Sequence, residues 1–131
     1  MIKFFRKNFI GIAWSILALL LSITPGKDLP VVDIVNFDKV AHLIFYGLFY
    51  VAVRYGLQRN YNLRIPKIHL YTFIYTSTFG FLMEFVQGNF IKDRYFDWFD
   101  AMANILGVIL VAFLFHTITT VSYTHLDAAD E

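Results

Sequence analysis

Residues 98–118 read WFDAMANILGVILVAFLFHTI, and beyond Asp100 this stretch contains no Asp, Glu, Lys or Arg. A run of about 20 apolar residues is what a helix needs to cross a hydrocarbon core about 30 Å thick. The run lacks the alternation of a membrane barrel strand, and a closed helix is the remaining structure that satisfies its own backbone in lipid. Three earlier blocks have the same character: Phe9 to Thr24 (FIGIAWSILALLLSIT), Asp38 to Leu57 and Ile68 to Gln87. Helices are therefore predicted over 9–24, 38–57, 68–87 and 98–118, an all-α polytopic membrane protein built as a four-helix transmembrane bundle. The first block follows Lys3, Arg6 and Lys7 and stops at Pro25-Gly26, which cannot continue a helix. A basic start and an apolar stretch also describe a secretory signal, but no Ala-x-Ala cleavage site follows, so a retained anchor is expected.

Composition agrees with these blocks. Of 131 residues, 58% are hydrophobic and 16% charged, against about 45–50% apolar and about 25% charged in soluble domains. Phe fills the blocks and Tyr gathers near their ends, where amphipathic rings suit the headgroup level. Cysteine is absent, which excludes thiolate nucleophiles, disulfides and thiol redox chemistry. No repeat, nucleotide-binding loop or nucleic-acid motif is present, so the expected partner is the lipid bilayer, with no nucleotide and no nucleic acid. Residues 1–120 are read as one transmembrane domain. The final segment, 121–131 (VSYTHLDAADE), is polar and without periodicity; it is expected to be a non-native, linker-derived tail outside the fold.

Orientation follows from basic residues, which cytoplasmic segments retain. Lys3, Arg6 and Lys7 precede the first helix, and the loop between the second and third has Arg54, Arg59, Arg64 and Lys67. Lys27, Lys39, Lys92 and Arg94 fall on the other side. Both termini are then cytoplasmic, and residues 25–37 and 88–97 face outward.

The polar residues inside the helices repeat at helical spacing. Asp38, His42 and Tyr46 are four apart, with Lys39 beside them, and that interval keeps side chains on one face. The third helix places Ser77, Gly80, Glu84 and Gln87 at intervals of three, four and three, and Asp97, Asp100, Asn104 and Gly107 repeat those intervals in the fourth. With a rise of 1.5 Å per residue, His42, Glu84 and Asn104 fall about 6–9 Å beneath the outer helix ends, in one layer. A carboxylate at that depth is costly, and Glu84 also meets the negative end of its helix dipole. It requires a partner among Lys39, His42 and Arg94; Arg94 is preferred for its bidentate geometry.

Simpler roles stand beside these. Asp38, Asp97 and Asp100 are at helix starts, where each by itself reads as a cap. Glu84 with Gln87 could fasten helices by hydrogen bonds. Gly11 with Ser15, and Ala103 with Gly107, are small-residue pairs suited to packing. His69 and His116, toward the cytoplasmic ends, read as interfacial.

Taken in order, Ser22-Ile23-Thr24-Pro25 with Pro30, Asp38-Lys39-x-x-His42-x-x-x-Tyr46, Glu84-x-x-Gln87, Arg94-x-x-Asp97-x-x-Asp100 and Asn104-x-x-Gly107 resemble the VanZ-like membrane protein family. The motifs cover about residues 14–112. The resemblance implies a multi-pass protein of the bacterial plasma membrane and an association with resistance to teicoplanin-type glycopeptides or with envelope maintenance. It implies no particular reaction.

The residues themselves suggest a shallow outward pocket for the headgroup of a lipid-linked envelope precursor or an amphiphilic glycopeptide. Arg94 and Lys39 would hold phosphate or carboxylate by charge-assisted bonds. Asp38, Tyr46, Gln87, Asp97, Asp100 and Asn104 would complete the binding surface, and His42 or Glu84 would act as general base in any reaction. A metal held by His42, Glu84, Asp97 and Asp100 is not expected, because no short His-Glu-x-x-His motif supports it, and no cofactor is identified. Three alternatives remain open: a non-catalytic scaffold or docking partner, an acid–base or metal-assisted enzyme acting on lipid headgroups, and passage of protons or ions. The last is disfavoured because the cytoplasmic halves of the helices offer few ionisable groups.

Overall fold

The computed structural model describes residue 6, residues 8–29 and residues 35–127, the side chains of residue 60 and of residues 119–127 excepted. Lys3, Lys7 and Pro30 lie outside the described residues. Four helices account for most of the chain: α1 (Phe9–Ile23), α2 (Phe37–Asn60), α3 (Ile65–Phe90) and α4 (Trp98–Asp127), with one 3₁₀ turn at Gly26–Asp28. No strand occurs among the described residues.

The helix ends differ from the expected ones because stop and start signals set them, not hydropathy. Pro25 ends α1 close to the predicted place. Asn36, with φ 59°, turns the chain into α2, a left-handed conformation that Asn tolerates better than most residues. Pro66 sits in the first turn of α3, where its missing N–H costs nothing, so that helix begins ahead of the apolar block. α4 continues past the expected end at Ile118 to Asp127; no Gly or Pro occurs from Val108 to Asp127 to interrupt it.

α2 is the central helix, packed most extensively on α4 and also on α3 and α1. Tyr46, Phe49, Tyr50 and Val108 form its buried core. The Phe49 ring meets Tyr46, Tyr75 and Phe79 edge-on at centroid distances of 5.4–5.9 Å, the arrangement ring quadrupoles favour. Close approach at the α2–α4 seam depends on Gly107: a Cβ there would run into the carbonyl group of Leu43. Gly80 opens a notch where α3 meets both neighbours, since a Cβ would lie 2.8 Å from the Tyr46 ring and 3.2 Å from Asn104 Cβ. Gly11 and Ser15 do pack as expected, Gly11 against Val53 and Ser15 Oγ 3.0 Å from Tyr75 Oη.

At one end, the near end, α2 and α4 begin and α3 finishes; the far end has the 61–64 connection. Over Phe37–Arg59 and Trp98–Ile118, α2 and α4 are long and apolar enough to cross a membrane, whereas α1 is apolar but shorter. Arg54, placed in the loop by the charge argument, is instead inside α2 and 5% exposed.

Candidate functional site

The near end carries the polar stripes, and the structure joins them. Lys39 Nζ donates to Asp38 Oδ2 at 2.8 Å, to Asp97 Oδ2 at 3.1 Å and to Asp100 Oδ1 at 3.1 Å. An ammonium has three N–H donors, so this set is complete. Asp97 also accepts the Phe99 N–H through Oδ1 at 2.7 Å, which makes it both the cap of α4 and a Lys39 partner. The Phe99 N–H first, then Lys39, hold its carboxyl below the ordinary carboxylate range. Asp38, in the first turn of α2, also gives its carboxylate to Lys39.

One turn deeper, His42 Nδ1 lies 2.9 Å from Asn104 Oδ1 and 3.5 Å from Glu84 Oε1. Asn104 Nδ2 points at Gly80 O at 3.5 Å, which orients the amide with its oxygen toward the imidazole. Nδ1 is then the N–H, and Nε2 is the nitrogen available to take a proton. Nε2 faces Asp100 Oδ2 at 3.9 Å, too far for a hydrogen bond. The side chain of Glu84 is 1% exposed.

The expected direct pairing of Arg94 with Glu84 is not what the structure shows. Gln87 stands between them: with its amide turned to satisfy both neighbours, its nitrogen donates to Glu84 Oε1 at 3.2 Å and its oxygen accepts from Arg94 Nη2. The physical reason is register, since Gln87 is one helical turn from Glu84 on the same face. The expected role of Lys39 as an anion holder also changes, because three carboxylates already occupy it. Arg94, held by Gln87, forms no ion pair with a carboxylate among the described residues.

Two sets of side chains could each bring ligand atoms within 4.8 Å of one another around a metal: His42, Glu84 and Asp100, and Asp38, Asp97 and Asp100. In the second set Lys39 already supplies the positive charge. The quartet weighed from the sequence is therefore divided, with Asp97 on the Lys39 side and Glu84 on the His42 side.

Tyr46 lies deeper than the other site residues, 4% exposed, with its ring beside Gly80. Beside the polar layer, α2 and α4 leave an open groove of about 480 Å³ with Lys39 and Phe99 at its mouth and Leu43, Met102, Leu106 and Ile109 along it. Sequence reasoning missed this groove, and it missed the polar group at the far end formed by Tyr50, Arg54 and His69. The signal for the latter was present: Asp38, His42 and Tyr46 continue at the same interval through Tyr50, Arg54 and Gln58. His69 Nδ1 lies 2.6 Å from Tyr50 Oη. His116 is exposed.

Comparison of the chain with protein-family models, with curated proteins and with solved structures finds no match.

Proposed function

We propose that this is a VanZ-like protein of the bacterial plasma membrane that crosses four times and takes the headgroup of an amphiphile in its near-end polar layer. The amphiphile is a lipid-linked envelope precursor or an amphiphilic glycopeptide. The observation that carries the reading is the meeting of that layer with an apolar groove at Lys39: a polar head and an apolar tail need these two surfaces side by side. The charged set is drawn from α2, the start of α4 and the α3–α4 connection, and Arg94 is the cation left to meet a phosphate or carboxylate.

Four spans are supported by the outward faces of the helices. Ile16 and Leu20 on α1, Ile44 and Leu48 on α2, Ile74 and Leu82 on α3, and Phe113 and Leu114 on α4 are all exposed. Apolar surface on every helix is rare for a protein dissolved in water. The orientation with both termini cytoplasmic rests on the distribution of basic residues along the chain; removing Arg54 from that tally leaves the same bias.

The test is mass spectrometry of lipids and precursors that copurify with the wild type and with Arg94→Ala, together with growth under teicoplanin. A species retained by the wild type and lost in the variant supports the reading. Equal retention by both removes Arg94 as the anchor.

A second reading, an acid–base or metal-assisted enzyme acting on the same headgroup, is favoured by the open side of His42 Nε2 facing Asp100. Release of a labelled headgroup that depends on His42 separates it from binding alone. Loss of membrane abundance in His42→Ala and Glu84→Ala would instead favour a scaffold whose polar layer fastens the helices.

A further inference from the structure

Arg54 is a buried cation that forms no ion pair among the described residues. It is 5% exposed and separated by about 9 Å of helix from the end of α2 at Asn60. No carboxylate lies within ion-pair distance of it among the described residues. Its contacts are those of a placed but unsatisfied group: Nη1 donates to Gln58 Oε1 at 2.5 Å, the guanidinium lies 4.3 Å from the centroid of the Phe115 ring, and Nε makes no hydrogen bond. A buried charge is costly unless it is paired.

His69 is left incomplete in the same region. Tyr50, fully buried one turn before Arg54, shares a hydrogen bond of 2.6 Å with His69 Nδ1, while His69 Nε2 is buried and makes none. A phenol donating to Nδ1 leaves the proton on Nε2. Arg54 follows Tyr50 by four residues on the same face of α2, so the guanidinium and the imidazole share the Tyr50 side of the helix. The unfilled groups are the Arg54 Nε–H, with its fixed positive charge, and His69 Nε2, which is an N–H donor when the phenol donates to Nδ1.

The chain has no Asp or Glu from Lys39 through Met83, nor from Ala101 through Leu126. The acidic residues of the described fold are concentrated at the near end, whereas Arg59, Arg64 and Lys67 flank the far-end connection. We infer that Arg54 and His69 form a second binding site, at the far end, for a phosphate oxyanion carried on a lipid headgroup or free in solution. Gln58 is exposed, and its amide oxygen occupies on Nη1 the place an anionic oxygen would take. The site uses no residue of the His42 layer and stands or falls separately from it.

The experiment follows thermal unfolding of the full chain in neutral detergent during titration with short-chain phosphatidylglycerol, phosphatidylcholine of the same tail length, or inorganic phosphate. Phosphatidylglycerol is expected to raise the melting temperature saturably, with half-saturation shifted at least tenfold upward in Arg54→Lys and His69→Gln. A saturable rise with inorganic phosphate that both variants weaken also supports the site and assigns it to a free anion. Equal stabilisation by phosphatidylcholine, unchanged half-saturation in both variants, or no saturable response of the wild type to either anion overturns it. Should the variants fail to purify, the three wild-type titrations still decide.

Discussion

His42 Nδ1 and Asn104 Oδ1 stand 2.9 Å apart across the α2–α4 seam, and Asn104 is fully buried there. This one amide orients the imidazole and also reaches the Gly80 carbonyl of α3 at 3.5 Å. Replacing it with Leu removes both partners at once, and an unsatisfied buried polar group costs about 1–3 kcal/mol. Asn104→Leu should therefore melt at a lower temperature in detergent. ¹⁵N NMR of the ring should show His42 losing its preference for the Nδ1–H tautomer; a ring that keeps it is oriented by something other than Asn104.

The stripes of Asp38-His42-Tyr46 and Asp97-Asp100-Asn104 were legible because helical spacing is a property of the sequence, and depth could be reckoned from the helix ends. Pairing within the layer was not legible. Whether Arg94 meets Glu84 or Gln87 depends on a single turn of register and on loop geometry, neither of which leaves a mark in composition. Lys39 illustrates the same limit, since its sequence neighbours do not reveal that Asp97 and Asp100 arrive from another helix. The far-end group went unseen for a different reason. Arg54 reads as one more basic residue in a charge tally until the helix is known to run on to Asn60.

Lys39 neutralises a set of carboxylates that would otherwise repel one another, and this makes stability depend on pH in a stated direction. Asp97 is held below its ordinary range, so its contribution is present above the unfolded value of about 3.9 and is lost as pH falls through the lower folded value. The wild type should accordingly gain stability as pH rises from acid toward 5. In Lys39→Met the Phe99 N–H still holds Asp97 down, but the carboxylates face one another without the cation, so the gain over the same interval should be smaller. Melting curves from pH 3 to 7 test the difference; parallel profiles would mean that Lys39 is not the group that matters.

Gly107 and Gly47 both lie on the α2–α4 seam, yet they should respond differently to substitution. A Cβ at Gly107 meets the Leu43 carbonyl group, which cannot rotate away, whereas one at Gly47 comes 3.1 Å from a methyl of the Val111 side chain. Overpacking of this kind costs about 1–3 kcal/mol where neighbours cannot yield. Gly107→Ala should lower the melting temperature more than Gly47→Ala in the same detergent. Equal effects would mean that the helices slide apart readily at this seam.

Glu84 separates a structural role from a chemical one. Its side chain is 1% exposed, with His42 at 3.5 Å and the Gln87 amide at 3.2 Å, while Arg94 reaches it only through Gln87. A carboxylate so enclosed gains little stability from its charge, because desolvation offsets a distant attraction. Glu84→Gln keeps the volume and an acceptor oxygen and removes the charge, so melting temperature and membrane abundance should equal or exceed those of the wild type. If the proposed site transfers a proton, the copurifying amphiphile should persist in this variant while headgroup release or glycopeptide tolerance falls at least tenfold. Glu84→Ala, which leaves His42 and Gln87 facing an empty space, should instead lose about 1–3 kcal/mol. A marked drop in the melting temperature of Glu84→Gln would identify Glu84 and a protonated His42 as an ion pair that fastens α2 to α3.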